Sequence, residues 1–167
     1  MKIKTGIGMD AHRFAEGRKL VLGGVVIEYP RGLEGHSDAD VLCHAIADAL
    51  LGAAGLEDIG HYFPDSESEW KDASSLDILT DVARLVRGRG CEIGNVDAVV
   101  VAEEPRIAPY REEIRTRLAD AIEVSAGCVT VRGTTTEGMG FTGRGEGIAV
   151  LATCLVECLG IVSDTDL

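Results

Sequence analysis

Asp10 and His12 stand two residues apart in a stretch where Ile3, Thr5, Ile7 and Met9 alternate with Lys4, Gly6, Gly8 and Asp10. On a strand, positions i and i+2 project from one face, so a carboxylate and an imidazole meet there. A third group comes from Gly35-His36-Ser37-Asp38-Ala39-Asp40-Val41-Leu42-Cys43-His44. In this run and just beyond it, Leu42, Ile46, Ala49, Leu50 and Ala53 recur at helical spacing and mark a buried stripe. Asp40, His44 and Asp48 are each four residues apart and share a different face. His44 added to Asp10 and His12 makes two imidazoles and one carboxylate, a donor set for a metal site that keeps one position open. Zinc, iron and manganese all suit it. Asp40 and Asp48, one turn on either side of His44, offer carboxylates to orient its ring. Taken alone, Asp10 and His12 also fit a strand that simply ends at the surface.

The start of that helix has a second chemistry. Ser37 fits an N-cap, and Asp40 three residues later completes a capping box. Free backbone N–H groups, a hydroxyl and the positive end of the dipole suit an anion such as phosphate. A plain cap also explains Ser37, while His36 adds a donor just outside it. Thr134-Thr135-Thr136-Glu137 is a hydroxyl run that ends in a carboxylate. It can hold phosphate oxygens and, through Glu137, a magnesium ion; three threonines also simply favour a strand. The glycine-rich stretch Gly140 to Gly147 is neither a Walker loop nor a GxGxxG after a strand. Within it, Arg144 and Glu146 form an ion pair or contact an anion. His61, the acidic run around Glu67 and Trp70 read as a surface histidine, a solvated loop and packing at the loop base.

The elements that must position these groups follow from periodicity. Strand patterns cover Lys2 to Phe14, Glu92 to Val101, Val129 to Thr136 and Ile148 to Cys158, and Lys19 to Ile27 reads as a hairpin turning at Gly23-Gly24. Helices are expected over Asp38 to Ala54, Leu76 to Arg87 (capped by Ser74 or Ser75) and Pro109 to Val124. Asp58-Ile59-Gly60 and Phe63-Pro64-Asp65 read as turns, and Ser66 to Glu69 as a loop of the kind that forms lids. These elements predict a two-layer α+β sandwich: a mixed four-stranded main sheet plus a small hairpin, with three helices on one face. One domain covers residues 1–160, and 161–167 form a frayed tail. The last strand is apolar on both faces, so its second face needs a partner subunit.

Composition limits the rest. The chain has 167 residues, 46% hydrophobic but only 4% aromatic, so aliphatic side chains and alanine fill the core. No run of about 18 apolar residues predicts a membrane span, and no signal-peptide pattern precedes the first strand. A cytoplasmic location is expected, or a plastid stroma if a transit peptide has been removed. The net charge of −12 argues against a nucleic-acid partner, and a phosphate substrate would need local cations to overcome it. Cys43, Cys91, Cys128, Cys154 and Cys158 are scattered and odd in number. They predict buried free thiols in a reducing compartment, and without a CxxC they predict no thiolate zinc site.

Several of these motifs together resemble the 2-C-methyl-D-erythritol 2,4-cyclodiphosphate synthase family. The matching segments are Gly8 to Phe14, Gly35 to His44, Asp58 to Gly60, Phe63 to Asp65, Gly94 to Asp97, and Thr134 to Glu137 with Gly140 to Gly147. They occur in order from about Ile3 to Glu157. The resemblance implies a homotrimer with its sheets facing a central axis and active sites between adjacent subunits. It implies zinc on Asp10, His12 and His44 and magnesium or manganese near Glu137, with Thr135 in the catalytic set. The substrate would be 4-diphosphocytidyl-2-C-methyl-D-erythritol 2-phosphate, cyclised with release of CMP.

Further roles come with the resemblance. His36 and Ser37 would hold substrate phosphate. Asp58, Ile59, Gly60 and Phe63 would hold the erythritol portion, with Asp65 and Lys71 on the following loop. Ala102, Pro105, Arg106, Ile107 and Ala108 match a cytidine-binding turn that serves the neighbouring subunit, together with Gly133, Thr134 and Thr135. Phe141, Arg144 and Glu146 match a patch near the trimer axis that holds an isoprenoid diphosphate in the family. Met9 stands where an aromatic is common, Arg106 where Lys is common, Gly133 for Ala and Ser74 for Asp; Leu151 lies on the axis strand. Two other readings stay open: a metal-dependent phosphohydrolase on the same donor set and, from the resemblance, a non-catalytic trimer that binds isoprenoid diphosphate.

Overall fold

Strand β1, Lys2–Ala15, is the longest strand and the one the site is built on. The computed structural model describes residues 1–35, 37–64 and 74–159. After β1 come β2 (Leu20–Leu22), β3 (Val25–Ile27) and β4 (Gly32–Leu33), then helices α1 (Val41–Ala54), α2 (Ile59–Tyr62) and α3 (Ser75–Gly88). The remainder is β5 (Cys91–Val101), α4 (Arg111–Ala121), β6 (Val129–Thr134), α5 (Gly140–Gly143) and β7 (Gly147–Cys158).

The main sheet has five strands in the order β4-β1-β7-β5-β6, and β2-β3 form a separate ribbon. β5 and β6 are parallel, while the β1–β7 and β5–β7 pairs are antiparallel. The expected four-stranded sheet therefore gains one strand, because Gly32 and Leu33 pair with Ala15 and Phe14; two residues are too few to show a period. The ribbon turns at Gly23 and Gly24 as expected, both at positive φ (58° and 73°), the conformation of a tight hairpin turn. Ser74 caps α3. α4 is shorter than expected, since Ala108–Tyr110 before it forms a 3-10 turn. The glycine-rich stretch, expected as loop, contains the short α5.

Helix α1 packs against β1 and β7 and buries every residue except His44, Asp48 and Gly52. The sequence suggested one apolar stripe; the helix is instead enclosed almost all round. Its close approach depends on Gly6 and Gly8. A Cβ on Gly6 would overlap the carbonyl oxygen of Ala49, and one on Gly8 that of Ala45. The two polar positions left half-exposed on α1 face the site.

One contiguous core runs from Phe14 to Cys158. The opposite face of the main sheet has no helices among the described residues. Across it Met9 lies opposite Leu151 and Ile7 opposite Thr153, and Ile3, Ile7 and Met9 are each about two-thirds exposed. The expectation of free thiols is corrected at one pair. Cys91 and Cys158 are register partners at the ends of β5 and β7 and form a disulfide, while Cys43, Cys128 and Cys154 are free. Spacing in sequence (67 residues) conceals a pairing that only the register creates. Among the described residues, no helix is long and apolar enough to cross a membrane.

Candidate active site

Gly6, Gly8, Asp10 and His12 share one face of β1, so the glycines that admit α1 also aim the next two side chains at it. His12 Nε2 lies 2.8 Å from Asp10 Oδ2, and His44 Nδ1 lies 3.1 Å from the same oxygen. One ligand atom from each of the three residues falls within 4.8 Å of the others. Asp10 is further fixed because Ala11 N donates to its Oδ1 at 2.8 Å. His12 Nδ1 bonds the Glu34 carbonyl, which places a proton on Nδ1 and leaves Nε2 its lone pair. His44 Nε2 lies 3.0 Å from Ser75 Oγ and 3.4 Å from Ser37 Oγ. Each imidazole thus holds an oxygen with one nitrogen and turns the other to the common point, so the donors fit a single divalent cation.

Burial alone would raise the Asp10 pKa, but hydrogen bonds to His12 and His44 outweigh it and hold the carboxyl well below the usual carboxylate range. Burial would likewise lower the His12 pKa; its bonds to Asp10 and the Glu34 carbonyl raise it instead.

The triad opens into a cavity of about 490 Å³ that Ser37, Asp48, Ile59, Gly60 and Phe63 also line. Asp58 stands beside it as the cap of α2, its Oδ1 accepting from His61 N at 3.0 Å. His36, Asp65 and Lys71, together with the proposed loop, Trp70 and the tail, lie outside the described residues.

Three expectations around α1 are corrected. The cap is Asp40, whose Oδ1 accepts from Leu42 N and Cys43 N, each at 3.1 Å. Ala39 adopts φ 58°, so the chain turns out of helix before Val41 and Ser37 cannot reach the cap position. Asp40 is wholly buried, and its Oδ2 accepts from Gly24 N at 2.7 Å. These N–H groups are therefore already matched by a carboxylate, and a phosphate would compete with it for the helix end. Burial raises the Asp40 pKa, opposed by those same backbone bonds. Neither Asp40 nor Asp48 orients His44: Asp48 Oδ1 accepts from Ile59 N at 2.9 Å and so anchors α2. Ser75 takes the place expected of a carboxylate.

A second cavity of about 620 Å³ lies where β5 ends and β6 runs beside it. Ala102, Pro105, Arg106, Ile107, Ala108, Gly133, Thr134 and Thr135 all line it, so the whole turn expected to bind a nucleoside is brought together. Arg111 and Arg132 join them. Glu137 follows at φ 53° and accepts from Thr135 Oγ1 at 3.0 Å. Its loop hangs on Glu103, whose Oε1 accepts from Thr136 N (3.2 Å) and Gly138 N (3.1 Å). Phe141, Arg144 and Glu146 line neither cavity. Arg144 Nε donates to Glu146 Oε1 at 2.6 Å, the ion pair that is one of the two alternatives for these residues, and it lowers the Glu146 pKa. Sequence alone marks neither Glu34 nor Glu103, and marks Ser75 only as a candidate helix cap. Glu34 contributes only its carbonyl and so has no residue-type signal; Ser75 and Glu103 act across gaps of 31 and more than 30 residues.

Fold and site define a class, an α+β domain that presents a two-histidine, one-carboxylate cation site beside a cavity. The profile of the YgbB family matches residues 3–157, and the chain belongs to that family. It is 60% identical over 157 residues to the 2-C-methyl-D-erythritol 2,4-cyclodiphosphate synthase of Rubrobacter xylanophilus, covering 92% of this chain and 94% of that one. Among solved structures it is similar to the bifunctional IspDF from Campylobacter jejuni, with a TM-score of 0.91 and 40% identity, over 95% of this chain and 43% of that longer one. It is also similar to a 2C-methyl-D-erythritol-2,4-cyclodiphosphate synthase in its CDP-bound form, with a TM-score of 0.84 and 33% identity, over 92% of this chain and all of that one. The chain is an enzyme of this family.

Proposed function

We propose that the enzyme converts 4-diphosphocytidyl-2-C-methyl-D-erythritol 2-phosphate to 2-C-methyl-D-erythritol 2,4-cyclodiphosphate and CMP. The observation that carries this reading is the convergence of Asp10, His12 and His44 on one point at the mouth of a cavity, in a chain 60% identical to a synthase of that name. An oxygen of the 2-phosphate attacks the β-phosphorus. The bond from that phosphorus to the oxygen bridging the α-phosphate breaks, and CMP leaves with the electron pair.

Such a transfer needs alignment and charge stabilisation more than a covalent nucleophile. Divalent cations on Asp10, His12 and His44 (zinc in this reading) and on Glu137 (magnesium or manganese) supply positive charge to the phosphate oxygens when bound. Ser37, with His36, holds phosphate at the first cavity. Asp58, Ile59, Gly60 and Phe63 hold the methylerythritol chain, a role that Asp65 and Lys71 share in this reading. Ala102, Pro105, Arg106, Ile107, Ala108 and Gly133 enclose the cytidine, and Thr134 and Thr135 hold its phosphates. Arg106 and Arg111 offset the −12 net charge where the anionic substrate enters.

The same reading includes a homotrimer, supported by the uncovered apolar sheet face. The two cavities share no lining residue; in this reading the first cavity of one subunit meets the second of its neighbour. A single domain over residues 1–160 and a cytoplasmic setting belong to the reading too. So does an isoprenoid diphosphate at Phe141 and Arg144. Phe141 is 40% exposed, and the ligand would have to draw Arg144 away from Glu146.

Phosphorus-31 NMR of the purified enzyme with substrate, Zn²⁺ and Mg²⁺ tests the reaction. Equimolar CMP and a cyclic diphosphate are expected. CMP with an open-chain product would replace this reading with a phosphohydrolase, and tight binding without CMP would replace it with a non-catalytic binding protein.

A further inference from the structure

Ser75 is the first residue of α3 and is 1% exposed, yet its hydroxyl does nothing for that helix. The cap is Ser74, whose Oγ accepts from Asp77 N at 3.4 Å. Ser75 Oγ instead lies 3.0 Å from His44 Nε2, 3.1 Å from Ser37 Oγ and in contact with Asp38 Oδ1. Ser75 N donates to the other Asp38 oxygen at 3.2 Å. Three polar side chains, His44, Ser37 and Asp38, meet on one hydroxyl.

The direction of these bonds can be worked out. A hydroxyl has one proton and two lone pairs, and a carboxylate can only accept. The Ser75 proton therefore goes to Asp38. Ser75 Oγ is left as an acceptor for Ser37 and His44. Ser37 can donate, because its own lone pair already accepts from Ala39 N at 3.1 Å. His44 must then carry its proton on Nε2, which leaves the lone pair on Nδ1, the atom 3.1 Å from Asp10 Oδ2. Were the Ser75 proton to point at His44, the ring would take the opposite tautomer and offer N–H to the cation site.

We propose that Asp38 and Ser75 are positioning residues for the cation site: the chain Asp38–Ser75–His44 fixes the imidazole tautomer that turns the Nδ1 lone pair toward Asp10 and His12. This rests on the metal reading given above. The two imidazoles are then set by different devices. His12 leans on the Glu34 backbone carbonyl, which no substitution removes, and His44 leans on two side chains, which substitution can remove.

Co²⁺ titrated into the metal-stripped full-length protein, followed by its visible d–d absorption, tests the proposal. Ser75→Ala is expected to weaken Co²⁺ affinity by about 10- to 100-fold, the range for losing an outer partner of a ligating histidine, and to alter the band shape. Asp38→Asn, which puts N–H donors where an obligate acceptor stood, is expected to weaken it too. Ser74→Ala, which removes only the α3 cap, is expected to leave affinity and spectrum unchanged. Circular dichroism reports folding of each variant; if Ser75→Ala does not fold, Asp38→Asn decides. Wild-type affinity and spectrum in the folded Ser75→Ala and Asp38→Asn variants would overturn the proposal, as would a loss in Ser74→Ala equal to that in Ser75→Ala. A wild-type protein that takes up no Co²⁺ would instead overturn the metal reading itself.

Discussion

At the residue scale, His44 joins the site to the interior, since one nitrogen faces Asp10 and the other a buried serine. His44→Ala removes one of three cation ligands from a partly buried position. Metal analysis of the purified variant is expected to show loss of bound cation and an assay loss of turnover, while circular dichroism shows a folded chain. Cys154 gives a prediction that does not involve the site. Burial pushes its thiol up to about 11 from 9.0, opposed in part by a backbone bond from Gly6, and its Sγ donates to Ala49 O at 3.1 Å. The folded state thus holds the proton more tightly than the unfolded chain. Its contribution to stability is complete below about pH 9 and is lost as pH rises through about 11. Denaturant melts are expected to show a steeper fall over this window in the wild type than in Cys154→Ala. The triad was legible because a strand and a helix have fixed periods, and i, i+2 and one helix face can be read from text. The true cap was not, because Ser37 and Asp40 are both good caps and the choice between them falls to Ala39 at φ 58°, a conformation that alanine does not advertise.

The element that sets the geometry is the contact of α1 on β1. It brings His44 to Asp10 only because Gly6 and Gly8 let a helix backbone lie directly on a strand. Gly8→Ala forces the two apart. Overpacking of this kind costs about 1–3 kcal/mol or more, so a fall in Tm of about 3–10 °C is expected by calorimetry. Because the shift separates His44 from the strand ligands, weaker Co²⁺ uptake is expected alongside it. A Gly8→Ala protein with unchanged Tm and unchanged Co²⁺ affinity would contradict the contact as the source of the geometry. The elements were largely foreseeable from alternation along β1 and β5, from the continuous apolar run of β7 and from the turn at Gly23-Gly24. What stayed hidden depends on neighbours remote in sequence. β4 exists because Phe14 and Ala15 offer it a partner, α1 is buried on nearly all sides because sheet and helices surround it, and Cys91 meets Cys158 only through the β5–β7 register.

For the whole molecule, one sheet face exposes Ile3, Ile7, Met9 and Leu151 together, the pattern of a surface that is covered in an assembly. Ile7→Asp places a charge at its middle without touching the core. Analytical ultracentrifugation is expected to show a trimer for the wild type and a shift to smaller species for this variant, with the helical signal retained. A wild-type monomer would remove the shared-site reading. The separation of the two cavities has a genetic counterpart in such an assembly. A subunit dead through His44→Ala and one dead through Arg106→Ala each keep the half that the other has lost. If the trimer closes as a ring, an equal mixture refolded together assembles about a quarter of its interfaces from two intact halves. Two preparations that are each inactive should therefore recover about that fraction of wild-type turnover when mixed, whereas a site wholly contained in one chain would recover nothing.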